Sequence, residues 1–146
     1  MEDHMSISDI FGQYALAFEE TYVDDNWSRL KSYFTADAVY LPGDGEKICG
    51  RNEVFFYLKG SVERLDKRFD SRKVEFRSDP IVSGDQVTFS WRAAYKKAGV
   101  PDLIIDGSEK AMFRENSICL LEDSYDKASA GSFIEWMNKY GTSLEQ

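Results

Sequence analysis

The sequence predicts an α+β fold, a curved antiparallel sheet packed on three N-terminal helices, with one further helix at the C-terminal end. Two observations carry this. Apolar residues recur every three or four positions up to Phe69, and every second position from Val74 to about residue 126. Clusters of Gly, Pro, Asp and Asn fall at the breaks between those runs, where a chain must turn. Helices followed by a meander of strands bury one sheet face against one helix stripe, which gives two layers.

The first helix follows from Ile7, Ile10, Phe11, Tyr14, Phe18 and Tyr22, a wide apolar stripe, with Ser6 and Asp9 spaced to cap its start. Asp24, Asp25 and Asn26 interrupt it and can cap a second, short helix containing Trp27, Leu30 and Phe34. A strand over residues 38–41 stops at Pro42-Gly43-Asp44-Gly45, and a brief return strand fits residues 47–49. Gly50 and Arg51 open a third helix, whose buried side is Val54, Phe55, Leu58, Val62, Leu65 and Phe69; Gly60 within it suggests close packing or a pocket wall. Val74 and Phe76, then residues 87–95, then 103–113, alternate as strands, and Glu115-Asn116 makes a tight turn into the last one. Phe133, Ile134, Met137 and Tyr140 predict a terminal helix over 128–140, with a narrow stripe suited to a sheet edge, a pocket mouth or a partner subunit.

The length of 146 residues suits one domain over 1–146, its core about 6–126. A net charge of −8 sets up a field that repels phosphate backbones and anionic lipid, so nucleic acid and membrane are not expected partners. Lys67, Arg68, Arg72 and Lys73 alternate with Asp66, Asp70 and Glu75, which reads as a solvated helix end. There is no membrane-length apolar run, and the acidic, polar start is unlike a signal peptide, so the expected location is cytoplasmic. Cys49 and Cys119 stand apart without metal-ligand spacing, so neither a disulfide nor a metal is expected, and no cofactor.

Several local phrases carry a resemblance. Asp25, Trp27, Leu30 and the run Phe34-Thr35-Ala36-Asp37-Ala38-Val39-Tyr40, then Gly50, Arg51, Glu53 and Val54, then Phe113-Arg114-Glu115-Asn116-Ser117-Ile118, resemble the nuclear transport factor 2-like superfamily, with the SnoaL-like branch nearest. Ser117 stands where that family usually has Gly. The resemblance spans residues 6–126 and implies a cone-shaped sheet curled around a pocket whose mouth lies near the helices. Its activities vary widely, so the pocket must be read by residue.

Ketosteroid isomerases of this fold use a carboxylate base and an oxyanion hole. The resemblance matches their helical tyrosine to Tyr14 and their strand acid to Glu109, while Leu41 and Pro42 occupy the place of the base. Scytalone dehydratase relies on histidines, and the sole histidine here is His4. The Asp-Arg-Asp relay of limonene epoxide hydrolase has a counterpart only if Arg92 meets Asp106 or Asp123, yet strand parity puts Arg92 outside. Glu109 shares its strand face with Ile105, Ala111 and Phe113, where desolvation raises a carboxyl pKa and makes it a candidate acid. Alternatively, a bulge at Gly107 turns it to water.

Tyr14 and Glu109 are thus the candidate catalytic residues. Phe18, Trp27, Tyr40, Phe55, Trp91 and Asp123 are candidate ligand-binding residues, set in an interior to which Tyr22, Phe56 and Tyr95 also bring aromatic character. This suits a small hydrophobic or aromatic ligand and a lyase or isomerase working by acid/base chemistry. The alternative is a noncatalytic dimeric module whose outer sheet face, with Ile104, Met112, Val100 and Leu103, binds a second copy or another protein; a homodimer is expected under either reading.

Overall fold

The computed structural model describes residues 6–145; His4 lies outside the described residues. In chain order come α1 (Ile7–Asp24), a 3-10 helix (Trp27–Tyr33), β1 (Phe34–Leu41), β2 (Ile48–Cys49), α2 (Arg51–Arg64), a 3-10 turn (Asp66–Arg68), β3 (Ser71–Phe76), β4 (Ile81–Ser83), β5 (Gln86–Lys96), β6 (Leu103–Arg114), β7 (Ser117–Tyr125), α3 (Lys127–Tyr140) and a closing 3-10 helix (Gly141–Glu145). Among the described residues no helix is long and apolar enough to cross a membrane.

Local chemistry sets the boundaries. The Ser6 hydroxyl accepts the Asp9 N–H at 3.1 Å and so satisfies one of the free donors at the start of α1. That helix stops at Asp25, in the left-handed region at φ 61, whose N–H returns to the Thr21 carbonyl. The Asp25 carboxylate then holds the Trp27 indole N–H at 2.8 Å and turns the chain into the 3-10 helix. Glu115 and Asn116 both have positive φ, 51 and 69, the geometry of a two-residue hairpin turn that matches strand twist.

The seven strands form one curved sheet in the order β2-β1-β7-β6-β5-β3, with β4 also beside β5. Its pairs are antiparallel except β1 with β7, which run parallel. The β5–β6 register runs unbroken from Gln86 opposite Met112 to Tyr95 opposite Leu103. Only at the far end of β6 does the β6–β7 register slip, with Leu120 opposite Met112 but Ile118 opposite Phe113, so the extra residue is Cys119. Gly107 is therefore not a bulge, and Glu109 keeps the face that the alternation predicts. Gly107 has a different reason to be glycine: a Cβ there would stand 2.7 Å from the Trp91 ring and 2.4 Å from the Ser124 carbonyl oxygen.

Two apolar clusters hold the layers together. The larger joins α1, α2, β1 and the sheet centre through Phe11, Leu30, Phe34, Val54, Ile118 and Leu121; burying each such side chain stabilises the fold by about 1.5–3 kcal/mol. The second joins β5 and β6 to α3 through Phe69, Tyr95, Leu103, Ile105, Trp136 and Leu144. Trp136 fastens α3 by packing on Phe69 at 5.4 Å and donating its indole N–H to the Pro101 carbonyl at 2.9 Å.

Three placements differ from the sequence reading, and one choice it left open is decided in favour of close packing. Phe69 lies beyond the end of α2, after the 3-10 turn, though it is buried in the second cluster. Leu103 is buried in the second cluster, so it cannot serve the outer face. Phe56 is 79% exposed, because α2 buries Val54, Leu58 and Val62 and turns Phe56 the other way. Gly60 does not border the cavity described below; the Arg64 guanidinium lies over it, 2.7 Å from where a Cβ would be.

Candidate functional site

Between the two clusters the sheet and helices leave a cavity of about 1160 Å³. Its walls are largely aromatic and aliphatic, with Phe11 and Phe18 from α1, Leu58 and Val62 from α2, and Phe89 and Trp91 from β5. Ala130, Phe133 and Ile134 of α3 complete the boundary. The volume and lining suit a small organic ligand.

Glu109 and Asp123 face this cavity as direct cross-strand partners on β6 and β7. The Tyr40 hydroxyl donates to Asp123 Oδ2 at 2.5 Å. The other oxygen, Asp123 Oδ1, is buried and receives no hydrogen bond from a fixed donor. Two desolvated carboxyls side by side cannot both ionise, so the pair retains a proton between them. Burial pushes the Glu109 carboxyl well above the usual range, and the neighbouring Asp123 charge and hydrogen bond push it further. Burial also raises Asp123, but hydrogen bonds from Glu109 and Tyr40 draw it back. Both carboxyls are thus held above the ordinary range, and the pair as a unit keeps a proton.

Tyr14 borders the same cavity from α1. Burial, then the charges at Glu109 and Asp123, raise its pKa well above the usual phenol value, so it stays a neutral donor. Trp91 lies edge-on to Tyr125 at 5.8 Å, across the space that the missing Gly107 side chain leaves open. Of the candidates named from sequence, Tyr14, Phe18, Tyr40, Trp91, Glu109 and Asp123 border the cavity. Trp27 and Phe55 do not: Trp27 packs edge-on against the wall residue Phe18 at 5.8 Å, while Phe55 packs on Phe34 at 5.4 Å within the larger core cluster.

Arg92 pairs with Asp106, Nε to Oδ1 at 2.7 Å, on the opposite sheet face, with Asp123 on the cavity side. Among the described residues no group of three His, Cys, Asp or Glu side chains is placed to hold a metal ion.

A second polar group was not foreseen. Arg72, Asp66 and Tyr95 also border the cavity, and Arg72 is not part of a solvated helix end, its side chain being only 8% exposed. Its Nη1 meets Glu19 Oε1 at 2.9 Å and its Nε lies 3.0 Å from Asp66 Oδ2. Burial raises the Asp66 carboxyl to about 6, against the lowering influence of Arg72. The signal was in the sequence: Arg72 has the parity of Val74 and Phe76, and stands opposite Tyr95.

Neither a family model nor a curated protein sequence matches the chain. Solved structures do. A putative SnoaL-like polyketide cyclase from Shewanella denitrificans superposes with a TM-score of 0.66 at 15% identity, over 90% of this chain and 98% of that one. An NTF2-like protein of unknown function from Burkholderia pseudomallei gives 0.64 at 14% identity, over 86% and 95%. TerC, co-crystallised with polyporic acid, gives 0.64 at 15% identity, over 89% and 99%. Coverage of almost the whole of each neighbour, with the helices and unclosed curved sheet described above, shows that this chain has the nuclear transport factor 2-like fold.

Proposed function

We propose that the chain binds a small hydrophobic or aromatic molecule in this cavity and moves a proton on it, as a cofactor-free lyase or isomerase. The observation that supports the reading is the Glu109–Asp123 pair, holding one proton and one charge in an otherwise apolar wall beside the neutral Tyr14 hydroxyl. Asp123 can take a proton from a carbon next to a carbonyl, while Tyr14 donates a hydrogen bond to the oxygen on which negative charge develops. Glu109, its proton turned from Asp123 to the ligand on binding, donates a second. Donors that stay neutral in a desolvated site need no reorganisation as that charge appears. The ligands and activity named for the structural neighbours, polyporic acid and polyketide cyclisation, are compatible with such a pocket.

The test is hydrogen exchange at the α-carbon of 2-acetylnaphthalene in D2O, followed by NMR, with thermal shift as the binding readout. Glu109→Gln and Tyr14→Phe should each slow exchange by about a hundredfold, in line with the usual contribution of a positioned acid or base. Equal rates for wild type and Glu109→Gln would sink the mechanism.

A second reading rests on Ile104 and Met112, which are 38% and 37% exposed on the outer sheet face. We propose a homodimer through that face, where two apolar side chains gain from being covered. Sedimentation should give a dimer at micromolar concentration, and a monomer for Ile104→Lys; a monomeric wild type refutes it.

A further inference from the structure

We propose that Arg72 anchors a carboxylate on the ligand, which takes the guanidinium edge now held by Glu19; this rests on the cavity being a ligand site. Among the described residues that border the cavity, Arg72 is the only basic one. Its row on β3, with Val74 and Phe76, points inward, and the Tyr22 ring lies 4.6 Å from the guanidinium carbon, which steadies its plane.

The two acidic partners differ in freedom. Asp66 is nearly buried, 14% exposed, in the short turn between α2 and β3. Glu19 is 47% exposed on α1, and both its oxygens sit on one nitrogen, Nη1, at 2.9 and 3.2 Å. Rotation of Glu19 into water rehydrates one carboxylate as the ligand's carboxylate is desolvated, so the exchange at Arg72 is charge for charge. The planar guanidinium accepts a carboxylate with two parallel hydrogen bonds, which a neutral amide cannot reproduce.

The rest of the cavity settles the orientation. The Glu109–Asp123 pair carries negative charge and repels an anion, so the ligand's acid is confined to the Arg72 side and its enolisable part faces Glu109 and Tyr14. The substrate class is therefore an aromatic or polycyclic carboxylic acid with a carbonyl away from the acid group.

Titration calorimetry on the full chain with 2-naphthoate, 2-naphthamide and 2-naphthylmethylammonium tests this, since the three differ mainly in charge. Wild type should bind 2-naphthoate about tenfold more tightly than 2-naphthamide, the size expected for a charge-assisted pair. Glu19→Ala should tighten 2-naphthoate several-fold and leave 2-naphthamide unchanged, and its exposed position on α1 makes it safe for folding. Arg72→Gln should abolish the preference. Equal affinity for acid and amide in both wild type and Glu19→Ala overturns the anchor while leaving the cavity reading intact, and preference for the ammonium probe overturns it in favour of a cationic ligand. Binding of none of the three overturns the cavity reading and the anchor with it.

Discussion

The hydroxyl of Tyr40 lies 2.5 Å from Asp123 Oδ2, a hydrogen bond between two strands that run parallel in an otherwise antiparallel sheet. With Tyr40 opposite Leu121, the phenol reaches forward to the next inward residue on β7. One side of the Asp123 carboxylate is thereby satisfied, while its buried Oδ1 has no hydrogen bond from a fixed donor. Tyr40→Phe removes this donor and keeps the ring packed on Tyr57. It should cost about 1–3 kcal/mol, the usual penalty for depriving a buried acceptor of its partner, as measured by urea unfolding at pH 7.

The Glu109 carboxyl has a folded-state pKa above its unfolded one, so the folded chain binds its proton more tightly. Its contribution is fully present below the ordinary value of 4.5 and is lost as pH rises through the folded value. Asp66 acts in the same direction between its ordinary 3.8 and about 6. Thermal melts from pH 4 to pH 9 should therefore show stability draining away on the alkaline side. Glu109→Gln, which keeps a donor toward Asp123, should flatten that slope and gain on wild type as pH rises, and an unchanged slope would contradict the assignment.

Gly107→Ala should destabilise by about 1–3 kcal/mol, the typical cost of overpacking. The new methyl would stand 2.4 Å from the Ser124 carbonyl oxygen, backbone that cannot yield without shifting β7. Trp91 would be displaced along the cavity wall, so a change in tryptophan fluorescence should accompany the lost stability.

Trp136→Ala should cost about 3–5 kcal/mol, as for other buried aromatic truncations. It removes both the packing on Phe69 and the hydrogen bond to Pro101 that seat α3. Limited proteolysis should then cut within residues 127–145 faster than in wild type, with the rest of the chain still resistant.

The period of the apolar residues was enough to name the three α-helices and the long strands, because a helix stripe and a half-buried strand impose different spacings on any sequence, but not the short β4 or the closing 3-10 helix. Parity alone also placed Glu109 inside and Arg92 outside, and it would have placed Arg72 inside had the charges around it not been read as a solvated stretch. What no local pattern contained was partnership. Glu109 and Asp123 are neighbours through the β6–β7 register, Tyr40 reaches Asp123 through a parallel pairing of strands far apart in sequence, and Glu19 meets Arg72 across the two layers. Trp27 and Phe55 look as suited to a pocket as Phe18, yet helix rotation and an indole held by Asp25 turn them away from it. Residue type and spacing decide which face a side chain takes; which distant group it meets there, and so which proton it shares, depends on how the sheet curves and closes over the helices.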